Sequence, residues 1–106
     1  MNILARTGLV PALLAFLVQP ALSEGDADAG RLKAETCLGC HASPTMQHIY
    51  PTYRIPKVGG QHAAYVVSAL KAYRDGTRPH STMHANAWSL SDQDIEDIAA
   101  FFAASK

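Results

Sequence analysis

The stretch Cys37-Leu38-Gly39-Cys40-His41 decides how this chain is read. C-x-x-C-H is the attachment signature of c-type haem. On a helical turn Cys37 and His41 are four residues apart and share a face, while Cys40 sits one residue before the histidine. Two thioether bonds from Cys37 and Cys40 then clamp a porphyrin and hold His41 under the iron. The imidazole offers a neutral Nε2, oriented by whatever its Nδ1–H bonds to.

Three other uses of the pair compete with haem. A zinc site could combine it with His80 and His84, but the intervening stretch far exceeds classical finger spacing. A thioredoxin-like redox pair expects a βαβ setting, and no strand pattern precedes Cys37. A structural disulfide across so short a loop would constrain almost nothing. Haem c is therefore the expected cofactor.

Working outward, the segment from about Asp26 to Cys40 reads as a short helix ending at the cysteines, with Asp26 and Asp28 as N-cap candidates. The stretch 42–59 is broken by Pro44, Pro51, Pro56 and Gly59. Ile49, Tyr50, Tyr53, Ile55 and Val58 recur through it, as in a loop wrapped against something apolar.

A second helix spans 61–75. Tyr65, Val66, Ala69, Leu70 and Tyr73 make one apolar stripe, Gly76 fits the C′ position, and Pro79 prevents resumption. A third spans 91–104. Ser91 with Asp94 gives a capping-box pattern, Leu90 and Ile95 a hydrophobic staple, and the acids Asp92 to Asp97 favour the N-terminal end of the dipole. Ile95, Ile98, Ala99 and Phe102 form the buried stripe. No period-two strand stands out. The expected fold is all-α, with three main helices and long loops around one haem.

Residues 1–23 read as a secretory signal: Arg6, then an apolar run from Leu9 to Val18, then Ala21-Leu22-Ser23 at the cleavage site. The run is short for a membrane span, which needs about 20 apolar residues, and Pro11 interrupts it. Cleavage after Ser23 leaves one domain, 24–106, with no membrane span. A chain so short is marginal unaided, and a cofactor acting as core supplies the missing burial. Nine acids balance nine Lys and Arg over 106 residues, so the strongly basic character of nucleic-acid binders is missing.

Iron held by His and Met is an electron-transfer arrangement. Past the signal the methionines are Met46 and Met83. Met46 follows His41 too closely to cross easily to the other haem face, whereas Met83 lies beyond the second helix. Met83 is the expected sixth ligand and His84 its sharpest rival; His48, His62 and His80 are further imidazoles.

Taken together, Cys37-x-x-Cys40-His41, Pro56-Lys57-Val58-Gly59-Gly60-Gln61-His62-Ala63-Ala64-Tyr65, Leu70 through Arg78, and Met83 seven residues before Leu90-Ser91-Asp92 resemble the class I c-type cytochromes. The likeness is to the bacterial periplasmic single-haem branch and covers the whole segment after the signal. It implies the small cytochrome c fold, Met83 as distal ligand, and a Pro56 carbonyl accepting the His41 Nδ1–H. It also implies a close crossing of first and last helices at Gly30 and Phe101. Ala42-Ser43-Pro44-Thr45 departs from the Gly that usually follows the haem histidine, so the loop from His41 to Pro56 takes its own path. Trp88 fits core filling better than a propionate contact, and Arg78 could face a propionate or solvent.

The resulting expectation is a periplasmic carrier of single electrons with no catalytic constellation. Acidic redox partners would suit it, because Arg54, Lys57, Lys71, Arg74 and Arg78 face only Asp75 between His41 and Ser89. The alternative is the haem c subunit of a periplasmic dehydrogenase.

Overall fold

The computed structural model of the chain describes residues 24–42, 47–49 and 52–106. Residues 1–23, read above as a signal, lie outside the described residues, as do Met46 and Tyr50. The order of elements is α1 (Ala27–Lys33), α2 (Glu35–His41), β1 (Gln47–Ile49), β2 (Thr52–Arg54), α3 (Ala63–Asp75), α4 (Ser81–Ala87) and α5 (Asp92–Ala104).

Asp26 starts α1. Its carboxylate accepts the N–H groups of Asp28 and Ala29 at 2.8 and 3.2 Å, which satisfies donors a helix start leaves orphaned. The single helix expected from Asp26 to Cys40 is instead two. It bends at Ala34, whose own N–H still reaches Gly30 O at 2.8 Å. No sequence breaker marks the bend. Ala34 is fully buried there, so packing sets the turn: α1 lies along α5, while α2 carries the cysteines away from it.

Helix α1 crosses α5 at very short range. A Cβ on Gly30 would stand 1.9 Å from Asp97 O and 2.9 Å from Phe101 Cβ. Only a residue without a side chain allows this approach. Beside the crossing, Asp97 is 3% exposed. Its carboxylate accepts Asp26 N–H (2.8 Å), Gln93 Nε2 (2.8 Å) and Lys33 Nζ (2.6 Å), so the buried charge is fully partnered.

Helix α5 begins with the full capping box: Ser91 Oγ accepts Asp94 N–H at 3.1 Å and Asp94 accepts Ser91 N–H at 3.0 Å. Ile95, Ile98, Ala99 and Phe102 are buried against Val66 and Leu70 of α3, with Ala34 and Ala87 closing the cluster. Burying an isoleucine contributes about 1.5–3 kcal/mol, so Ile95 and Ile98 anchor the pairing of α3 with α5. Arg74 ties the same pair from outside, donating to Leu90 O at 3.1 Å and Asp92 at 2.8 Å.

Helix α3 ends as expected at Gly76, whose φ of +78° is the left-handed conformation. Two elements depart from the sequence expectation. One is α4. The other is a short antiparallel hairpin in the stretch that reads as irregular, pairing Gln47 with Arg54, His48 with Tyr53 and Ile49 with Thr52. Strands of three residues are too short to display a period-two pattern. The all-α class stands, with five helices among the described residues rather than three main ones. No helix among those residues is long and apolar enough to cross a membrane.

Candidate haem site

Between α2, the 55–58 segment, α3 and α4 lies a cleft of about 360 Å³, within the size range of small-molecule and cofactor sites. Cys37, Cys40 and His41 line one side. Val66, Leu70 and Tyr73 of α3 supply apolar and aromatic wall, and Met83 of α4 also reaches the cleft.

The helical turn of α2 sets the first side. Cys37 is half-buried and Cys40 exposed, both as free thiols. Burial pushes the Cys37 thiol above its ordinary pKa. A reactive redox cysteine requires the opposite shift. His41 Nδ1 stands 2.6 Å from the carbonyl oxygen of Pro56. A carbonyl only accepts, so the proton is on Nδ1 and Nε2 keeps its lone pair, the form that ligates a metal.

The other sequence candidates sort clearly. His84 does not line the cleft; its Nδ1–H donates to Tyr73 O at 2.8 Å. His62 is exposed at the start of α3 and also outside the cleft. His48 and His80 do line it. Among the described residues no group of three or more His, Cys, Asp or Glu side chains could hold a metal ion, so the zinc combination of Cys37, Cys40, His80 and His84 is not assembled.

Trp88 is 67% exposed, which overturns the core-filling expectation. Ala87 takes the buried position, and the next residue, about 100° further round, points outward. Arg78 lines the cleft, its guanidinium 4.7 Å from the centre of the Tyr73 ring and donating to Tyr65 Oη at 3.3 Å. Lys57 lines it as well. Sequence reasoning missed the pairing of Arg78 with the Tyr65 hydroxyl and the Tyr73 ring, and the place of His80 at the start of α4.

The donor set fits haem c. Two thiols and a neutral imidazole occupy one wall, a thioether stands on another helix, the lining is mostly apolar, and two cations border it for the carboxylates that haem carries.

Comparison with known proteins agrees with that fit. Cytochrome c-554(548) of Halomonas halodenitrificans is 45% identical over 82 residues, covering 74% of this chain and 95% of the relative. The chain belongs to the c-type cytochromes. Membership brings haem c as cofactor and electron transfer as the general activity. This cytochrome is also 38% identical over 99 residues to cytochrome c4 of Pseudomonas aeruginosa, covering 92% of the chain but 48% of that relative. The crystal structure of reduced cytochrome c4 from Pseudomonas stutzeri superposes with a TM-score of 0.61 and 29% identity, covering 79% of this chain and 53% of the other. The fold is thus the small all-α cytochrome c fold, and the chain spans about half the length of the cytochromes c4 it matches. No model of a protein family matches the chain.

Proposed function

We propose that this cytochrome is exported to the periplasm, carries one haem, and passes single electrons between redox partner proteins. The observation that carries the reading is the cleft itself: Cys37, Cys40 and His41 on one wall, His41 Nδ1 held by Pro56 O, and Met83 reaching in from α4. Both cysteines among these 106 residues belong to the one C-x-x-C-H, so this stretch offers one attachment site.

The haem, once bound, supplies a one-electron iron couple. The chain's residues do the rest. Cys37 and Cys40 would hold the ring through their thiols, and His41 Nε2 and the Met83 thioether would be the iron's ligands, a pair that favours the reduced state. Pro56 fixes the tautomer and plane of His41. Val58, Val66 and Leu70 exclude water from the cleft and so raise the cost of the extra positive charge on oxidised iron. Arg78 and Lys57 line the cleft and would place positive charge near the carboxylates of a bound haem.

The test is the visible spectrum of the exported holoprotein. Covalent haem that survives acid–acetone extraction, with the weak long-wavelength thioether band in the ferric form, is expected. The M83A variant should keep the covalent haem and lose that band. A wild-type ferric spectrum without it would transfer the sixth position to an imidazole or leave it open. Co-purification in a fixed ratio with a flavin or molybdenum enzyme would replace the diffusible carrier by a dehydrogenase subunit.

A further inference from the structure

Met83 sits at the third position of a helix of seven residues, and a helix that short does not persist on its own. Something outside α4 must hold it against the cleft. Two imidazoles flank the methionine, and both are engaged. On one side, His80 caps the helix: its Nδ1 accepts the Met83 backbone N–H at 3.3 Å. On the other, His84 Nδ1–H donates to Tyr73 O at 2.8 Å, pinning α4 to the last turn of α3.

The His80 ring is itself braced. It stands edge-on to Tyr53 of the hairpin, centres 5.8 Å apart at 89°, and edge-on to Tyr73, 5.9 Å apart at 80°. These contacts fix the imidazole plane so that Nδ1, and not Nε2, meets the helix start. Because Nδ1 accepts, the ring proton is on Nε2. Histidine is outside the set of favoured N-cap residues, and this site makes it one by clamping the ring between two tyrosines.

We propose that His80 is a positioning residue for Met83: its capping bond to the Met83 N–H holds the first turn of α4, and so keeps the Met83 side chain in the cleft. The inference rests on Met83 being the distal ligand. It assigns His80 a role in place of the rival role of ligand, although the ring lines the same cleft.

The experiment uses ferric holoprotein and titrates imidazole, which competes with the thioether and bleaches the long-wavelength band. Loss of a cap should shift the competition about fivefold toward imidazole. H80A and H80F are both expected to show that shift, because neither can accept the N–H, even though Phe preserves the edge contacts. H80N, which can cap, should return to within about twofold of wild type. Far-ultraviolet circular dichroism of each variant reports whether the fold is kept. An unchanged H80A, or an H80F that behaves as wild type while H80N does not, overturns the proposal. A wild-type protein lacking the band at the outset overturns the ligand reading and this inference together; a wild-type band with unshifted variants overturns this inference alone.

Discussion

His41 Nδ1 and the carbonyl oxygen of Pro56 stand 2.6 Å apart. The acceptor is a backbone atom, so its chemistry survives substitution of the proline ring. What the ring contributes is a fixed φ that limits the unfolded chain. P56A is therefore expected to retain covalent haem and an unaltered absorption spectrum, while losing about 0.5–1 kcal/mol of stability. Denaturant unfolding beside the spectrum checks both halves. A changed axial spectrum in P56A would mean that the ring, and not the carbonyl alone, aligns the histidine.

Two glycines separate steric from conformational cost. At Gly30 a Cβ would collide with Asp97 O at 1.9 Å, and the obstacle is backbone. G30A should force α1 and α5 apart and cost about 1–3 kcal/mol or more. At Gly76 nothing lies within 4 Å, but φ is +78°. G76A should cost about 1–2 kcal/mol through backbone strain alone, leaving the α1–α5 crossing intact. Thermal unfolding ranks the two, and hydrogen exchange at α1 should rise in G30A only.

Those glycines also divide what is legible in the amino-acid sequence from what folding alone creates. Gly30 with Phe101 is legible through family resemblance. The apolar stripes of α3 and α5, the Ser91–Asp94 box and the Gly76 stop are local patterns that survive in a sequence. The bend at Ala34 has no such pattern, since alanine favours continuation and only burial against the core turns the chain. The hairpin escapes a sequence reading because three residues per strand are fewer than a period needs to repeat. Helix α4 escapes because its cap is a histidine that works only where Tyr53 and Tyr73 hold it. In the site, the C-x-x-C-H turn is legible because covalent chemistry demands adjacent residues. The neighbours of Arg78 and His80 come from distant segments and are brought together by folding. Trp88 misleads because its size suggests burial, when its phase on α4 sends it outward.

The Lys33 cluster predicts acid behaviour. Lys33 Nζ lies 2.8 Å from Asp94 and 2.6 Å from Asp97. The Lys33 ammonium is the first cause holding both carboxyls below the ordinary range, Asp94 at about 2, with backbone donors assisting. A carboxyl depressed in the folded state contributes stability that is present above its unfolded value near pH 4 and is lost as pH falls through the folded value. In K33M both carboxyls should rise toward ordinary values. The acid-unfolding midpoint should then move to higher pH, while the pH dependence of stability around neutrality stays flat. Acid titration followed by circular dichroism checks this. Coincident acid midpoints in K33M and wild type would show that the backbone donors alone set the depression.

Charge at the cleft predicts how the protein meets its partners. Of the basic residues between His41 and Ser89, Arg74 is already committed to Asp92 and Leu90 O, whereas Lys57 and Arg78 border the cleft. Steering of an anionic partner should therefore depend on Lys57 and leave Arg74 out. Ferricyanide, a small anionic oxidant, provides the readout with reduced holoprotein. Its rate should fall as salt rises, since at about 0.15 M the screening length is roughly 8 Å. K57E should slow the reaction several-fold at low salt, and the gap should close as salt is added. R74Q should lower stability, because α3 and α5 lose their outer tie, yet leave the salt dependence close to wild type. A rate insensitive to salt in the wild type, or a larger kinetic effect from R74Q than from K57E, would remove the basic border as the docking determinant and leave the apolar rim of the cleft to make the encounter.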